Sequence, residues 1–232
     1  MNDGESPHAQ GVKEDPAWEG PLFSFFDRIL SEEKTHFLGI CHSYGLLARW
    51  AGAAEAVLRP PEKGGKSMGA VQNVLTVAAK HHPWFSGLYR VRKGPVIQVL
   101  DSRLFDLIPT NRGDVNFLAF ETNGRPDSPG EAVTMLEFAR DPDGFGPRVW
   151  GLNSHPEIGD RGQQRARLRS LAERGEVSAQ WVEERDKALD AWNNSKATER
   201  GLQWTSSFAF EGPVRRIIAR AMLEQIRNHS RS

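Results

Sequence analysis

The stretch Phe37-Leu38-Gly39-Ile40-Cys41-His42-Ser43-Tyr44-Gly45 decides the reading of this chain, because it has the form of a buried strand that runs into a cysteine and then a helix. His36, Phe37, Leu38 and Ile40 predict a short strand, and Leu46, Leu47, Trp50 and Ala51 then share one face at helical spacing. Cys41, the only cysteine present, falls between them. A nucleophile on so sharp a turn needs small residues two positions to either side, where the backbones of strand and helix converge, and Gly39 and Ser43 meet that demand. The same geometry puts the thiol at a helix N-terminus, whose dipole favours the thiolate, and turns the amide of His42 toward whatever Cys41 attacks. An isolated cysteine is also a common core residue, so this stretch alone leaves a buried structural thiol and a nucleophile both open.

A second stretch, Arg148-Val149-Trp150-Gly151-Leu152-Asn153-Ser154-His155-Pro156-Glu157, favours the nucleophile. It has the shape of a strand that ends in a polar loop. His155 is placed to act as general base to Cys41, with the Glu157 carboxylate holding the imidazole in one tautomer and Pro156 stiffening the link.

Taken together, Gly39-Ile40-Cys41 before a helix and the later Gly151-Leu152-Asn153-Ser154-His155-Pro156-Glu157 resemble the class I glutamine amidotransferases. Their Cys-His-Glu triad hydrolyses glutamine to glutamate and ammonia. The resemblance runs from about Gly4 to Glu157 and implies Cys41, His155 and Glu157 as the triad. It also implies an oxyanion hole made by the amide of His42 and an amide of the Gly4-Glu5-Ser6-Pro7 loop, that of Glu5, beside Gly4. Two positions depart from the family's Gly-x-Cys-x-Gly-x-Gln elbow: Ser43 replaces the second glycine, and Gly45 stands where a substrate-contacting glutamine is expected. If the Gly4 match holds, the strands that normally precede that loop are missing, and the elbow strand is expected at or near an open sheet edge.

The length of 232 residues suits one domain with an appendage. Thirty basic and thirty acidic residues exert no global pull toward nucleic acid or an anionic membrane. A single cysteine excludes an internal disulfide framework and suits a reducing compartment. No run approaches the roughly 20 apolar residues of a membrane span, and the N-terminus lacks a signal peptide's apolar core, so the expected location is cytoplasmic.

Elsewhere the pattern predicts a helix from Pro21, at a first-turn position, through Leu30, a short strand at Ala56-Val57-Leu58, and a strand from Val71 to Val77. The intervening loop Arg59–Gly69 contains glycines and lysines, yet Pro60 breaks the P-loop order, and the loop reads as an active-site wall. His81-His82 has no further ligand at metal spacing and reads as the surface start of a helix. Strands follow at Val96–Leu100, Val115–Phe120, Val133–Phe138 and Val149–Leu152, too close together for helical crossovers, with exposed turns at 121–131 and 141–147. Helices are predicted at Arg161–Arg174, Ser178–Trp192 and Pro213–Asn228. Arg215, Arg216 and Arg220 read as a solvated face, and Trp181, Trp192 and Trp204 as packing of these helices on the sheet.

The expectation is therefore an α/β fold, a mixed sheet flanked by helices of the class I glutamine amidotransferase (flavodoxin-like) kind, with a helical C-terminal region. Residues 1–160 form the amidotransferase-like domain and residues 161–232 a helical extension packed on it. The expected function is release of ammonia from glutamine through a cysteine thioester, without cofactor or metal. The ammonia would go to a separate synthetase or acceptor chain, and no nucleic acid or membrane partner is expected. Two alternatives stay open: a cysteine hydrolase of the same fold acting on another amide or γ-glutamyl compound, and a catalytically inactive binding or regulatory relative.

Overall fold

A computed structural model of the chain describes residues 16–59, 67–110, 114–125, 127–157, 161–175, 177–193, 202 and 205–229. Six strands form one mixed sheet: β1 (Phe37–Ile40), β3 (Ser67–Leu75), β4 (Val96–Arg103), β6 (Asn116–Thr122), β7 (Pro129–Arg140) and β8 (Pro147–Leu152). Their spatial order is β1-β8-β7-β6-β3-β4, and β2 (Ala54–Leu58) pairs with β5 (Phe105–Pro109) in a separate two-stranded ribbon. Only β1 and β8 run parallel; the other neighbours are antiparallel. β1 is thus an end strand, paired with β8 alone among the described residues; the Gly4 match on which the edge expectation rested lies outside them.

Helices α1 (Pro16–Ser31) and α2 (His42–Trp50) cover one side near β1, where Phe26, Ile29, Leu46, Leu47 and Val149 form a common core. The C-terminal end of α1 is held by the buried Arg148 of β8, whose guanidinium donates to the carbonyls of Ile29, Leu30, Glu32 and Thr35. The carbonyls of Ile29 and Leu30 are among those that the helix end leaves without intrahelical donors, and those of Glu32 and Thr35 belong to the turn that follows. The short helices α3 (Val77–His81) and α4 (Ser86–Arg92) place Ala79, Phe85 and Leu88 in the central core with Ile97, Val99, Leu118, Met135, Trp150 and Leu152.

After β8 come α5 (Arg161–Glu173), α6 (Ala179–Asn193), a π-helical turn at Ser207–Glu211, and α7 (Gly212–His229). Leu168 and Leu171 of α5 and Leu189 of α6 pack on Met68 of β3 and Leu100 of β4, with Trp181 against the same cluster. Ala209 of the π-helical turn reaches the central core, and the Trp84 indole N–H donates to the Phe208 carbonyl at 2.8 Å. Trp204 and the side chain of Trp192 lie outside the described residues.

Several sequence expectations are corrected. The third strand starts at Ser67 and stops at Leu75, because the Thr76 hydroxyl accepts the Ala79 N–H and caps α3, which takes Val77 into a helix. Ser67 to Gly69 therefore belong to a strand, and 60–66 of the preceding loop lie outside the described residues. β5 was missed because its alternation is interrupted by Asp106, which is buried against Arg59 and Arg103. Helix α1 starts at Pro16, so Pro21 lies inside it and not in its first turn. Segments 121–131 and 141–147 are not simply exposed turns: Glu121 and Thr122 end β6, Pro129 to Glu131 begin β7, and Asp141 is buried. Arg216 and Arg220 are ion-paired to Asp141 and Asp143 instead of facing solvent freely.

Candidate active site

Cys41 joins β1 to α2 with φ 50° and ψ −102°, in the half of backbone space that residues bearing a Cβ rarely occupy. Two glycines make the turn possible. A Cβ on Gly39 would lie 3.0 Å from the Tyr44 backbone nitrogen and 3.1 Å from its Cα, so strand and helix meet only because that side chain is absent. Gly151, opposite Gly39 in the parallel register, would place a Cβ 2.6 Å from the Tyr44 ring. Tyr44 itself is fully buried, and its hydroxyl donates to the Val133 carbonyl at 3.3 Å. The Ser43 hydroxyl accepts the Ile40 N–H at 3.1 Å and donates to the Ile40 carbonyl at 3.0 Å, lacing the turn from inside. The Cys41 amide donates to the Leu152 carbonyl at 2.9 Å and carries the β1–β8 pairing one residue further.

The sheet curls until its two end strands meet at this turn. The Cys41 thiol donates to the carbonyl of Ser102 at 3.7 Å, and the backbone N–H of His155 donates to the carbonyl of Leu100 at 2.7 Å. Both carbonyls belong to β4, two residues apart, and so point out of the same edge of that strand. Residues from opposite ends of the strand order, β1 and β4, thereby frame one site.

His155 Nδ1 and Glu157 Oε1 are 2.7 Å apart, while Nε2 is buried and has no hydrogen-bond partner among the described residues. Burial pushes the imidazole down in basicity, but Cys41 and Glu157 outweigh it and hold the ring's pKa up at about 10. Burial pushes Glu157 up, and against that the His155 hydrogen bond and charge, with the charge of Arg167, bring its carboxyl below the usual carboxylate range. Cys41, His155 and Glu157 therefore come together, with Cys41 and Glu157 both acting on the one imidazole.

His42 opens α2 immediately after Cys41, which puts its amide at the helix N-terminus. Its ring is lowered in basicity by burial. Gly4 and Glu5 lie outside the described residues. Gly45 is buried in the first turn of α2, its N–H donating to the Cys41 carbonyl at 3.0 Å. No group of three or more potential metal ligands occurs among the described residues. His82, expected on the surface, is 2% exposed. Its Nε2 lies 2.8 Å from Glu137, and its Nδ1 accepts the N–H groups of Trp84 and Phe85, so the side chain anchors the start of α4 from within the core.

Sequence reasoning also missed a buried ionic network next to the site. Arg103 of β4 contacts Asp106 at 3.1 Å and Glu121 at 2.7 Å, and Arg59 donates to the same two carboxylates. Asp101 accepts the Ser67 hydroxyl at 2.6 Å. The available signal was the acidic-basic alternation of Asp101, Arg103 and Asp106 directly after the apolar strand Val96–Leu100. Charged residues in that position read as a turn until the opposing Arg59 and Glu121 are known.

No sequence-family model matches the chain, and no curated protein matches it. Solved structures do. A glutamine amidotransferase from Thermotoga maritima superposes with a TM-score of 0.52 at 14% identity, covering 86% of this chain and 72% of that one. A protein from Thermoplasma acidophilum, assigned as one subunit of a GMP synthase, gives a TM-score of 0.40 at 16% identity over 60% of this chain and 55% of its own length. The protein SMU.1228c gives 0.44 at 16% identity, over 73% of this chain and 58% of its own. The likeness to the Thermotoga protein shows the fold, a curled mixed sheet flanked by helices as in the glutamine amidotransferases.

Proposed function

We propose that this chain is a cysteine-dependent amide hydrolase of the glutamine amidotransferase kind, releasing ammonia from glutamine through a thioester on Cys41. The observation that carries this reading is the division of labour on His155. One nitrogen is held by Glu157 at 2.7 Å, and the other is left uncommitted while Cys41 raises the ring's basicity. The fold likeness to a glutamine amidotransferase supports it.

In this reading the Cys41 thiolate attacks the side-chain carboxamide carbon, and the C=O electron pair moves onto oxygen. The amide of His42, together with that of Glu5 by the family resemblance, stabilises this oxyanion. The His155 imidazolium gives its proton to the amide nitrogen as the C–N bond breaks, and ammonia leaves with a thioester behind. His155, now neutral, takes a proton from water. The hydroxide attacks the thioester, the C–S bond breaks, and glutamate leaves with Cys41 restored. Glu157 keeps the imidazole in the tautomer that both steps need. No cofactor or metal takes part.

Residues 1–160 carry the chemistry in this proposal, residues 161–232 are their helical extension, and ammonia passes to a separate synthetase or acceptor chain. No described helix is long and apolar enough to cross a membrane, and a cytoplasmic location is proposed. The test is ammonia release from glutamine by the purified chain, alone and with candidate acceptors. Turnover that vanishes with Cys41→Ala supports the reading, and turnover that survives it overturns it. A second reading, hydrolysis of another amide or γ-glutamyl compound, is favoured by Gly45, which offers the substrate no side chain where the family has glutamine. A screen of γ-glutamyl amides against glutamine separates the two.

A further inference from the structure

The loop that carries His155 and Glu157 is held from two sides. On one, the backbone N–H of His155 donates to the Leu100 carbonyl of β4 at 2.7 Å. On the other, the Ser206 hydroxyl donates to the Pro156 carbonyl at 2.6 Å, across 50 positions of chain. Pro156 stands between the two members of the pair, and its ring already fixes φ. The remaining soft torsion of that residue is ψ, and ψ sets both the direction of its carbonyl and the direction in which Glu157 leaves the loop. Holding the carbonyl therefore holds the carboxylate's starting point relative to the imidazole.

Ser206 is itself firmly placed. It leads directly into the π-helical turn Ser207–Glu211, and that turn is docked on the start of α4. A Cβ on Gly87 of α4 would lie 2.7 Å from the Phe208 ring, and one on Gly212 would lie 2.6 Å from the Trp84 ring and 2.8 Å from the Ser207 carbonyl. Ala209 of the same turn is fully buried. Single π turns are rare, sacrifice regular helix geometry and recur at functional sites. Glu157 needs a fixed support, since it is 39% exposed and burial alone does not keep its side chain against His155.

Resting on the function proposed above, we propose that Ser206 is a positioning residue for the Cys41–His155–Glu157 site, its hydrogen bond to the Pro156 carbonyl setting the loop geometry in which Glu157 meets His155. Ser206 adds no step to the reaction. It acts through Pro156 on the orientation of the general base. The C-terminal helical region then has a part in the rate of the reaction as well as in covering the sheet.

The experiment measures ammonia release from glutamine by the full chain and, independently of turnover, the titration of the His155 imidazole by its ¹⁵N resonances. Ser206→Ala should lower kcat by about 2- to 10-fold, the worth of one hydrogen bond, with KM unchanged. It should also move the His155 titration down from about 10 toward 6.5, which a purely structural contact would not do. Ser206→Thr, which keeps the hydroxyl, should restore both. Ser207→Ala, one position on and exposed, should alter neither. A Ser206→Ala chain that keeps the wild-type kcat and the wild-type His155 titration overturns the positioning role, whatever its stability. Absence of glutamine turnover in the wild type overturns the proposed function instead, and the titration then decides the role of Ser206 by itself.

Discussion

The His155–Glu157 pair and the His82–Glu137 pair have almost the same contact, 2.7 Å and 2.8 Å, yet they are built for different ends. His82 has nothing left to give. Its Nδ1 accepts two backbone N–H groups, which puts the proton on Nε2 and directs it to Glu137. Glu137 in turn accepts from Asn116 and Arg140, and both side chains of the pair are 1% exposed. His155 uses one nitrogen for Glu157 and keeps the other open, and its carboxylate partner is 39% exposed. A histidine–carboxylate pair does chemistry only where one ring nitrogen is uncommitted and faces a nucleophile. With both nitrogens spent it is a cross-brace.

The sharpest way to break this contrast is at the nucleophile. Cys41→Ala should reduce glutamine hydrolysis by about 10⁴-fold or more, measured as ammonia released, because no other cysteine can take over. Next comes the orienting carboxylate. Glu157→Gln should lower kcat by roughly 10²- to 10⁴-fold and let the His155 ring titrate nearer its ordinary 6.5 than about 10, followed by ¹⁵N resonances of the imidazole. Glu137→Gln should leave the hydrolysis rate where it was.

The cross-brace should respond in stability instead. His82→Ala takes one of three partners from the buried Glu137 carboxylate, which keeps Asn116 and Arg140, and should cost about 1–3 kcal/mol in urea unfolding, with Cys41 alkylation unchanged under native conditions. Equal unfolding midpoints for the variant and the wild type would show that the pair is no brace. A further effect is that of pH. Because His155 titrates higher folded than unfolded, its protonated form stabilises the fold fully below about 6.5 and loses that contribution as pH rises through about 10. The gap in urea midpoint between wild type and His155→Gln should therefore narrow steadily from pH 6 to pH 10. A gap that widens would reverse the assigned sign.

The elbow was legible in the sequence because its requirements are local. Gly39, Cys41 and Ser43 fall within five consecutive positions, and the approach of strand to helix that excludes a Cβ at Gly39 involves Ser43 and Tyr44, its near neighbours in the chain. The His155–Glu157 contact is local in the same way. His82 was misread as a surface helix start because it sits beside an exposed histidine, and nothing within a few residues announces Glu137, 55 positions away. β5 was missed for a similar reason: a buried aspartate looks like a turn until the opposing arginines are known.

By itself, then, the sequence determined the elements whose causes lie within one turn or one strand: the β1–Cys41–α2 unit, the amphipathic helices and the imidazole held by a carboxylate two residues on. Only the tertiary structure decided that β4 closes over the elbow, with the Ser102 carbonyl reaching Cys41 across a separation of 61 residues. The order β1-β8-β7-β6-β3-β4 puts these residues at opposite ends of the sheet, and the curl of the sheet brings them together. Strand order and sheet curl arise from the competition of all strands for partners and of all apolar faces for cover, and neither is written in the periodicity of any single segment.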